Sequence, residues 1–439
     1  MTLYETGAAT VRPAQMAGRV RLLIASSFGT IIEWYDFAVF AVCATLVFNT
    51  AFFPNDNPMA GMIAALATQA VGFVARPLGG WFFGMLGDRI GRKRSLVLSL
   101  TLMGVSTVAM GLLPVYAQVG ILAPILLLIL RLLQGFAVGG EATGALVMIA
   151  ESLPANRRGL WTGFPMVGGP AGNVLATALI GLLIGSIGME QFVAWGWRIP
   201  FLVSIVLIVV GYWMRRRIEE SPAFVAMQAE KVELPHAPLR EAMRTNGADM
   251  LRVFFVKAGE NTLFYLFSTF FIVVATVYLH APRTLALNAL MIGSIVEVAA
   301  ILLSGFVADR IGRRAVTLFG LIGGVVAGYL LFSLPEGATH GQLVAATILT
   351  LSFHGCIVGG MSAYFTELFP ARVRYTAMST AYSVASVLGG ALAPIVGAWI
   401  LEATGTPFAV ALYATAMAIP AVFVMVTSRE TRGLDLQSH

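Results

Sequence analysis

Apolar runs of about 20 residues, each long enough to cross a hydrocarbon core, recur from one end of the chain to the other. In order they cover 21–49, 60–86, 95–115, 120–150, 159–187 and 195–214. After a polar interval come 252–280, 285–308, 315–334, 341–366, 376–402 and 406–427. This pattern predicts an all-α membrane protein with twelve transmembrane helices. The interval is charged and broken by Pro222, Pro235 and Pro238, so it reads as a linker between two halves. The expected organisation is a terminal segment 1–20, a six-helix bundle 21–214, a central loop 215–251, a second six-helix bundle 252–427 and a tail 428–439.

The halves repeat. Gly84-Met-Leu-Gly-Asp88-Arg89-Ile-Gly91-Arg92-Lys93-Arg94 follows the second span, and Gly305-Phe-Val-Ala-Asp309-Arg310-Ile-Gly-Arg313-Arg314 follows the eighth. A second pair keeps a similar spacing: Glu151-Ser-Leu-Pro154 before Arg157 and Arg158, and Glu367-Leu-Phe-Pro370 before Arg372 and Arg374. Two bundles at a shift of roughly 220 residues fit a parallel repeat about an axis along the membrane normal, with the substrate site between them near the midplane.

Composition sharpens this picture. Of 439 residues, 58% are hydrophobic and 11% charged, where soluble chains carry roughly 25% charged. The cations sit in alternate loops. They are Arg12, Arg19 and Arg21; Arg89 to Arg94; Arg157 and Arg158; Arg215 to Arg252; Arg310 to Arg314; Arg372 and Arg374; and Arg429 and Arg432. Among the opposite loops Arg283 stands nearly alone. The positive-inside rule then places both termini in the cytoplasm. The net charge of +6 forms no single patch, which excludes a nucleic-acid partner. Cys43 and Cys356 both lie in apolar spans and are expected as free thiols. The first 20 residues hold no apolar h-region, so the first span is expected to act as the insertion signal.

Charges inside spans are costly and usually mark function. Span one holds Glu33-Trp34-Tyr35-Asp36-Phe37, with two carboxylates three residues apart on one helical face. A bilayer favours the neutral form of an acid, so Asp36, and with it Glu33, are candidate proton carriers. An ion pair holding helices together is the alternative. Span four holds Arg131, Gln134, Gly135, Gly139, Gly140 and Glu141. Arg131 can bind an anion or tune a carboxylate, the glycines suit close packing, and Glu141 is either a proton site or a helix clamp. Span seven places Lys257, Glu260, Asn261 and Tyr265 on one face, either for substrate contact or with Lys257 and Glu260 paired to each other. Arg76 has no acid beside it in its own helix and is a substrate candidate. Glu297 is a further intramembrane charge, and His354 is a titrating group or a helix-contact histidine. Asp88, Arg89 and Arg92, with Asp309, Arg310 and Arg313, are candidate gating residues, since an acid adds nothing to a positive-inside signal. Trp195, Trp197 and Arg198 read as interface anchors.

The strings EWYDF (33–37), RPLGG (76–80), GDRIGRKR (87–94), RLLQGFAVGGE (131–141), WGWRIPF (195–201) and EESPAF (219–224) resemble the metabolite:proton symporter family of the major facilitator superfamily. Glu430-Thr-Arg-Gly433 is similar to the broader group that includes sugar porters. The likeness covers nearly the whole chain. It implies the major facilitator fold and proton-driven import of a small organic acid across the bacterial inner membrane, with alternating access. The acid would be a dicarboxylate, a shikimate-like acid or an aromatic acid. Tyr35 joins the substrate contacts on this likeness. Zwitterion import (proline or betaine) and drug:proton antiport are the rival readings. Phe40 stands where the family often has Tyr, and Met166 where it often has Gln. The run Gly163-Phe-Pro165-Met166-Val-Gly168-Gly169-Pro170-Ala-Gly172 resembles an antiporter motif in part. No phosphate loop or His/Cys metal spacing occurs, so no enzyme activity, metal or cofactor is expected beyond the proton gradient. The expected partners are a small-molecule substrate, protons and the bilayer, for a monomer.

Overall fold

A computed structural model of the protein describes residues 13–54, 58–230, 235 and 237–436. Arg12 and Lys231, two of the expected inward cations, lie outside the described residues. The chain is helical throughout, with no strand among the described residues. The long helices are α1 Gly18–Ala51, α2 Pro58–Ile90, α3 Arg92–Gly111, α4 Leu122–Ser152, α5 Ala155–Gly196 and α6 Arg198–Arg216, then α7 Pro238–Tyr278, α8 Arg283–Ile311, α9 Arg313–Phe332, α10 His340–Glu367, α11 Arg374–Thr404 and α12 Phe408–Thr427. Eleven of these are apolar enough over a sufficient length to cross a membrane. The other, α2, runs for 33 residues and packs within the first bundle in the place expected of the second span. Large apolar side chains such as Leu182, Ile295, Leu303, Phe319 and Phe423 face outward, as a bilayer rather than water requires.

Glycine lets these helices meet backbone to backbone. A Cβ on Gly139 or Gly79 would strike the facing backbone across the α2–α4 contact, at the Arg76 and Phe136 carbonyls. In the second bundle Gly355 and Gly359 of α10 press likewise on the Glu297 and Ile301 carbonyls of α8. The two Asp-Arg-Ile-Gly-Arg turns are built alike. Gly91 and Gly312 take φ of 108° and 114°, where only glycine is unstrained.

The linker differs from expectation. Its first residue, Arg215, belongs to the last buried turn of α6. Residues Pro222–Ala229 form a short helix capped by Ser221, with Pro222 in the first turn, and α7 starts at Pro238. The Gly/Pro run of α5 breaks the helix between Met166 and Gly168 and lets Gly168 and Gly172 approach Thr30 and Ile31 of α1. Trp197 is not an interface anchor. It is fully buried against Phe48, Phe52 and Phe201, while Trp195 stays exposed. Both cysteines are free.

Candidate functional site

A central cavity lies between the halves, walled by α1, α2, α4 and α5 from one and α7, α8, α10 and α11 from the other. About 90 Å³ of it is open to the centre of a water-sized sphere. One water needs about 10–15 Å³ by that measure, so the space suits a few waters or one small solute. Glu33, Arg76, Lys257, Glu260, Asn261 and Tyr265, six of the expected site residues, line it, together with Glu297 and His354.

Most of these charges are already paired. Lys257 Nζ donates to Glu260 Oε2 at 2.6 Å and lies 4.4 Å from the Tyr382 ring. Glu260 Oε1 meets His354 Nε2 at 3.0 Å, and Glu297 Oε1 meets His354 Nδ1 at 2.5 Å. Two groups are left over. The Arg76 guanidinium rests 4.2 Å over the Phe73 ring, and its Nε has no hydrogen-bond partner among the described residues. Glu33 Oε2 is buried and equally unpartnered.

Asp36 sits elsewhere. It is buried between α1, α3 and α6, where Thr107 donates to Oδ2 at 2.7 Å and Ser204 to Oδ1 at 2.8 Å. A polar chain leads from it toward the cavity. Gln134 Nε2 donates to Thr107 at 2.7 Å, and Arg131 donates to Gln134 Oε1 at 2.5 Å. Arg131 and Gln134 line a small side void with Glu33 and Arg76 rather than the main cavity. The Arg131 guanidinium lies 4.1 Å over the Phe40 ring, a cation–π contact.

Two expectations change. Tyr35 turns away from the cavity, fully buried, and its hydroxyl donates to the Pro200 carbonyl at 2.8 Å; it braces α1 against α6 rather than facing substrate. Glu141 is paired with Arg215 and accepts from Ser99 at 2.9 Å, the arrangement of a clamp between α3, α4 and α6. The sequence offered no direct sign of Arg215, one of three consecutive arginines; helical phase alone selects the inward one.

The basic end of the bundle is closed by a reciprocal network. Asp88 accepts from the backbone N–H of Thr376 at 2.8 Å and its hydroxyl at 2.7 Å, at the N-terminus of α11. Asp309 accepts from the N–H of Gly159 at 2.8 Å and of Leu160 at 2.9 Å, in the first turns of α5. Each acid therefore caps a helix of the other half, where the helix dipole favours an anion. Arg374 pairs with Glu151 at 2.6 Å and Arg158 with Glu367 at 2.8 Å, again across the halves. Arg92 adds Glu151 at 3.2 Å and the Ala371 carbonyl at 2.6 Å; Arg313 adds Asp309 at 2.6 Å and Glu367 at 3.3 Å. Arg89 and Arg310 are exposed, and Arg310 stacks 4.1 Å over Phe306, so these two expected gating residues sit at the surface of the network. Glu151, Arg158, Glu367 and Arg374 were visible in the sequence as a repeat but not as a lock. Glu220 and Glu430 stood in the sequence only within strings shared with the family, with no role given: they accept from the backbone N–H groups opening α3 and α9. Their signal is a repeated Glu-Ser or Glu-Thr pair after the last span of each half. Away from the basic end, rings meet across the halves, Trp34 with Phe264 at 5.8 Å and Phe73 with Tyr265 at 6.1 Å.

Residues 22–249 match the family described as sugar (and other) transporter, and residues 253–437 match the major facilitator superfamily. The chain is 40% identical over 427 residues to the inner membrane metabolite transport protein YhjE of Escherichia coli (strain K12), covering 95% of this chain and 96% of that protein. It is 37% identical to the shikimate transporter of the same strain, over 90% of each. It is 33% identical to the proline/betaine transporter of Salmonella typhimurium, over 96% of this chain and 85% of that one. The fold matches the proton:xylose symporter XylE bound to 6-bromo-6-deoxy-D-glucose with a TM-score of 0.80 at 19% identity, covering 96% of this chain and 98% of that one. The chain thus belongs to the major facilitator superfamily, as a multi-pass membrane transporter of metabolites and not an enzyme.

Proposed function

We propose that the protein imports a small organic acid together with protons by alternating access, as a monomer with its basic end in the cytoplasm and no cofactor beyond the proton gradient. The observation that carries the anion is Arg76, a cavity guanidinium that no carboxylate pairs among the described residues. Asp36 is the leading proton carrier of the first bundle. It is an acid held by two hydroxyls rather than by a cation, and a polar chain joins it to Arg131. Glu33, on the cavity itself, is the second.

One observation favours a zwitterion instead. Among the described residues Glu33 Oε2 has no partner in the same cavity as Arg76, which would suit an ammonium at the other end of the solute. Calorimetric titration of the purified protein with monocarboxylates, dicarboxylates and betaines separates the readings. For an acid, Arg76→Gln loses about 2–5 kcal/mol, at least a thirtyfold weaker Kd, while Glu33→Gln stays within a few-fold. Equal losses in both variants with a betaine identify a zwitterion site. Unchanged acid affinity in Arg76→Gln removes the anion site from this cavity.

A further inference from the structure

The wall of the second bundle holds a group of titratable side chains that the scheme above does not use. His354 of α10 stands between Glu297 of α8 and Glu260 of α7, and each ring nitrogen meets a carboxylate oxygen, at 2.5 and 3.0 Å. Hydrogen-bond bookkeeping constrains what these contacts are. An ionised carboxylate only accepts, and a neutral imidazole has a single N–H. With both carboxylates ionised and the ring neutral, one nitrogen lone pair would face an oxygen lone pair. Both contacts are hydrogen bonds only if one more proton is present, on the ring or on a carboxyl. With that proton Lys257, Glu260, His354 and Glu297 carry no net charge. Without it they carry one negative charge on buried side chains of the cavity wall, which is costly.

Of the cavity's other charges, Arg76 is the one further cation among the described residues, and it stands on the opposite wall with Glu33. Tyr382 of α11 faces Lys257, and the Phe264 ring of α7 lies 4.9 Å from His354. From α5 the cavity wall receives only Pro165, Met166, Gly169 and Pro170, none of them titratable. Tyr265 of α7, and Glu33 and Arg76 on the wall opposite, complete the charged and titratable lining. Any solute in the cavity touches this wall, so the proton and the solute share one compartment whose access alternates.

We propose that His354, Glu297 and Glu260 hold a second transported proton, so that each substrate crosses with two protons, one on Asp36 and one on this triad. The inference rests on proton symport as the mode of transport. The proton bridges α10 to α8 and α7 and leaves when the closed arrangement opens, because its loss sets a lone pair of the ring against a carboxylate oxygen.

The test is accumulation of a fully ionised substrate in proteoliposomes under a one-unit pH gradient, with the voltage clamped at zero. Each transported proton multiplies the attainable ratio about tenfold per pH unit. The wild type is expected to reach about a hundredfold. Glu297→Gln keeps a group that can donate to or accept from the ring and so removes the need for the extra proton; it should fall to about tenfold. The double variant His354→Gln, Glu297→Gln should fall to the same value and no further, since one proton is shared. A wild-type ratio of about tenfold overturns the second site, and this holds even if neither variant inserts. A hundredfold ratio that survives in both variants overturns it as well. Absence of any pH-driven accumulation by the wild type instead sinks proton symport itself.

Discussion

Glu33 and Asp36 stand one turn apart on α1 yet end in different settings. The first opens on the cavity; the second is turned between α3 and α6 onto Thr107 and Ser204. Spacing places both on one face, but the small angular offset between positions i and i+3 decides which neighbour each meets. The same uncertainty applied to Glu141, whose ion pair with Arg215 supports a clamp. The two acids should separate in one experiment. Asp36→Asn keeps the hydroxyl partners satisfied, so substrate exchange persists while pH-driven accumulation falls at least about tenfold. Glu141→Gln leaves Arg215 buried against a neutral partner. It should cost about 3–5 kcal/mol of stability, read as a lower Tm, with the accumulation ratio unchanged. The opposite pattern would make Glu141 the proton carrier.

Among the elements, α2 with α4 and α8 with α10 depend on glycine more than on complementary side chains. Gly139 faces the Arg76 carbonyl and the backbone of Gly79 and Gly80, which cannot yield as a flexible side chain would. Gly181 of α5 meets nothing within 4 Å. Gly139→Val should therefore cost about 1–3 kcal/mol or more through overpacking and lower the monodisperse yield, whereas Gly181→Val should leave both near wild type. Size-exclusion chromatography and thermal unfolding check the pair. The glycines were legible as helix-contact residues from sequence, because they recur within apolar spans. Which backbone each one touches depends on the register between helices distant in the chain.

For the whole molecule, the basic end is held shut by two matching sets of contacts: Asp88 and Glu151 of the first half reach the second, and Asp309 and Glu367 of the second reach the first. A hydrogen bond to a charged group contributes about 1.5–3 kcal/mol, so the double variant Asp88→Asn, Asp309→Asn should favour the state open at the basic end by at least about tenfold. With Cys43 and Cys356 replaced, a cysteine at the cavity residue Met166 should then react correspondingly faster with an impermeant reagent applied from that side. An unchanged rate would remove the gating role. In the same background, cysteines at the exposed Ala229 and Glu336 should label from opposite faces of the membrane, Ala229 from the cytoplasm. Labelling of both from one face would contradict the three crossings between them.

The class of molecule is legible in the chain's local and periodic signals. Apolar run length against bilayer thickness, alternation of charged loops and the duplicated Asp-Arg-Ile-Gly-Arg turn are local or periodic signals, and they suffice for twelve helices in two repeated halves. They also picked out the charges in the spans, because a charge in an apolar run stands out wherever it points. The tertiary structure decided what those charges do. It paired Glu141 with Arg215, withdrew Tyr35 and Asp36 from the cavity, left Arg76 Nε and Glu33 Oε2 without a hydrogen bond among the described residues, and set His354 between two carboxylates from different helices. Each of the contacts among these outcomes joins residues tens to hundreds of positions apart. It is fixed by rotation and register of one helix against another, which no periodicity within a single span can carry.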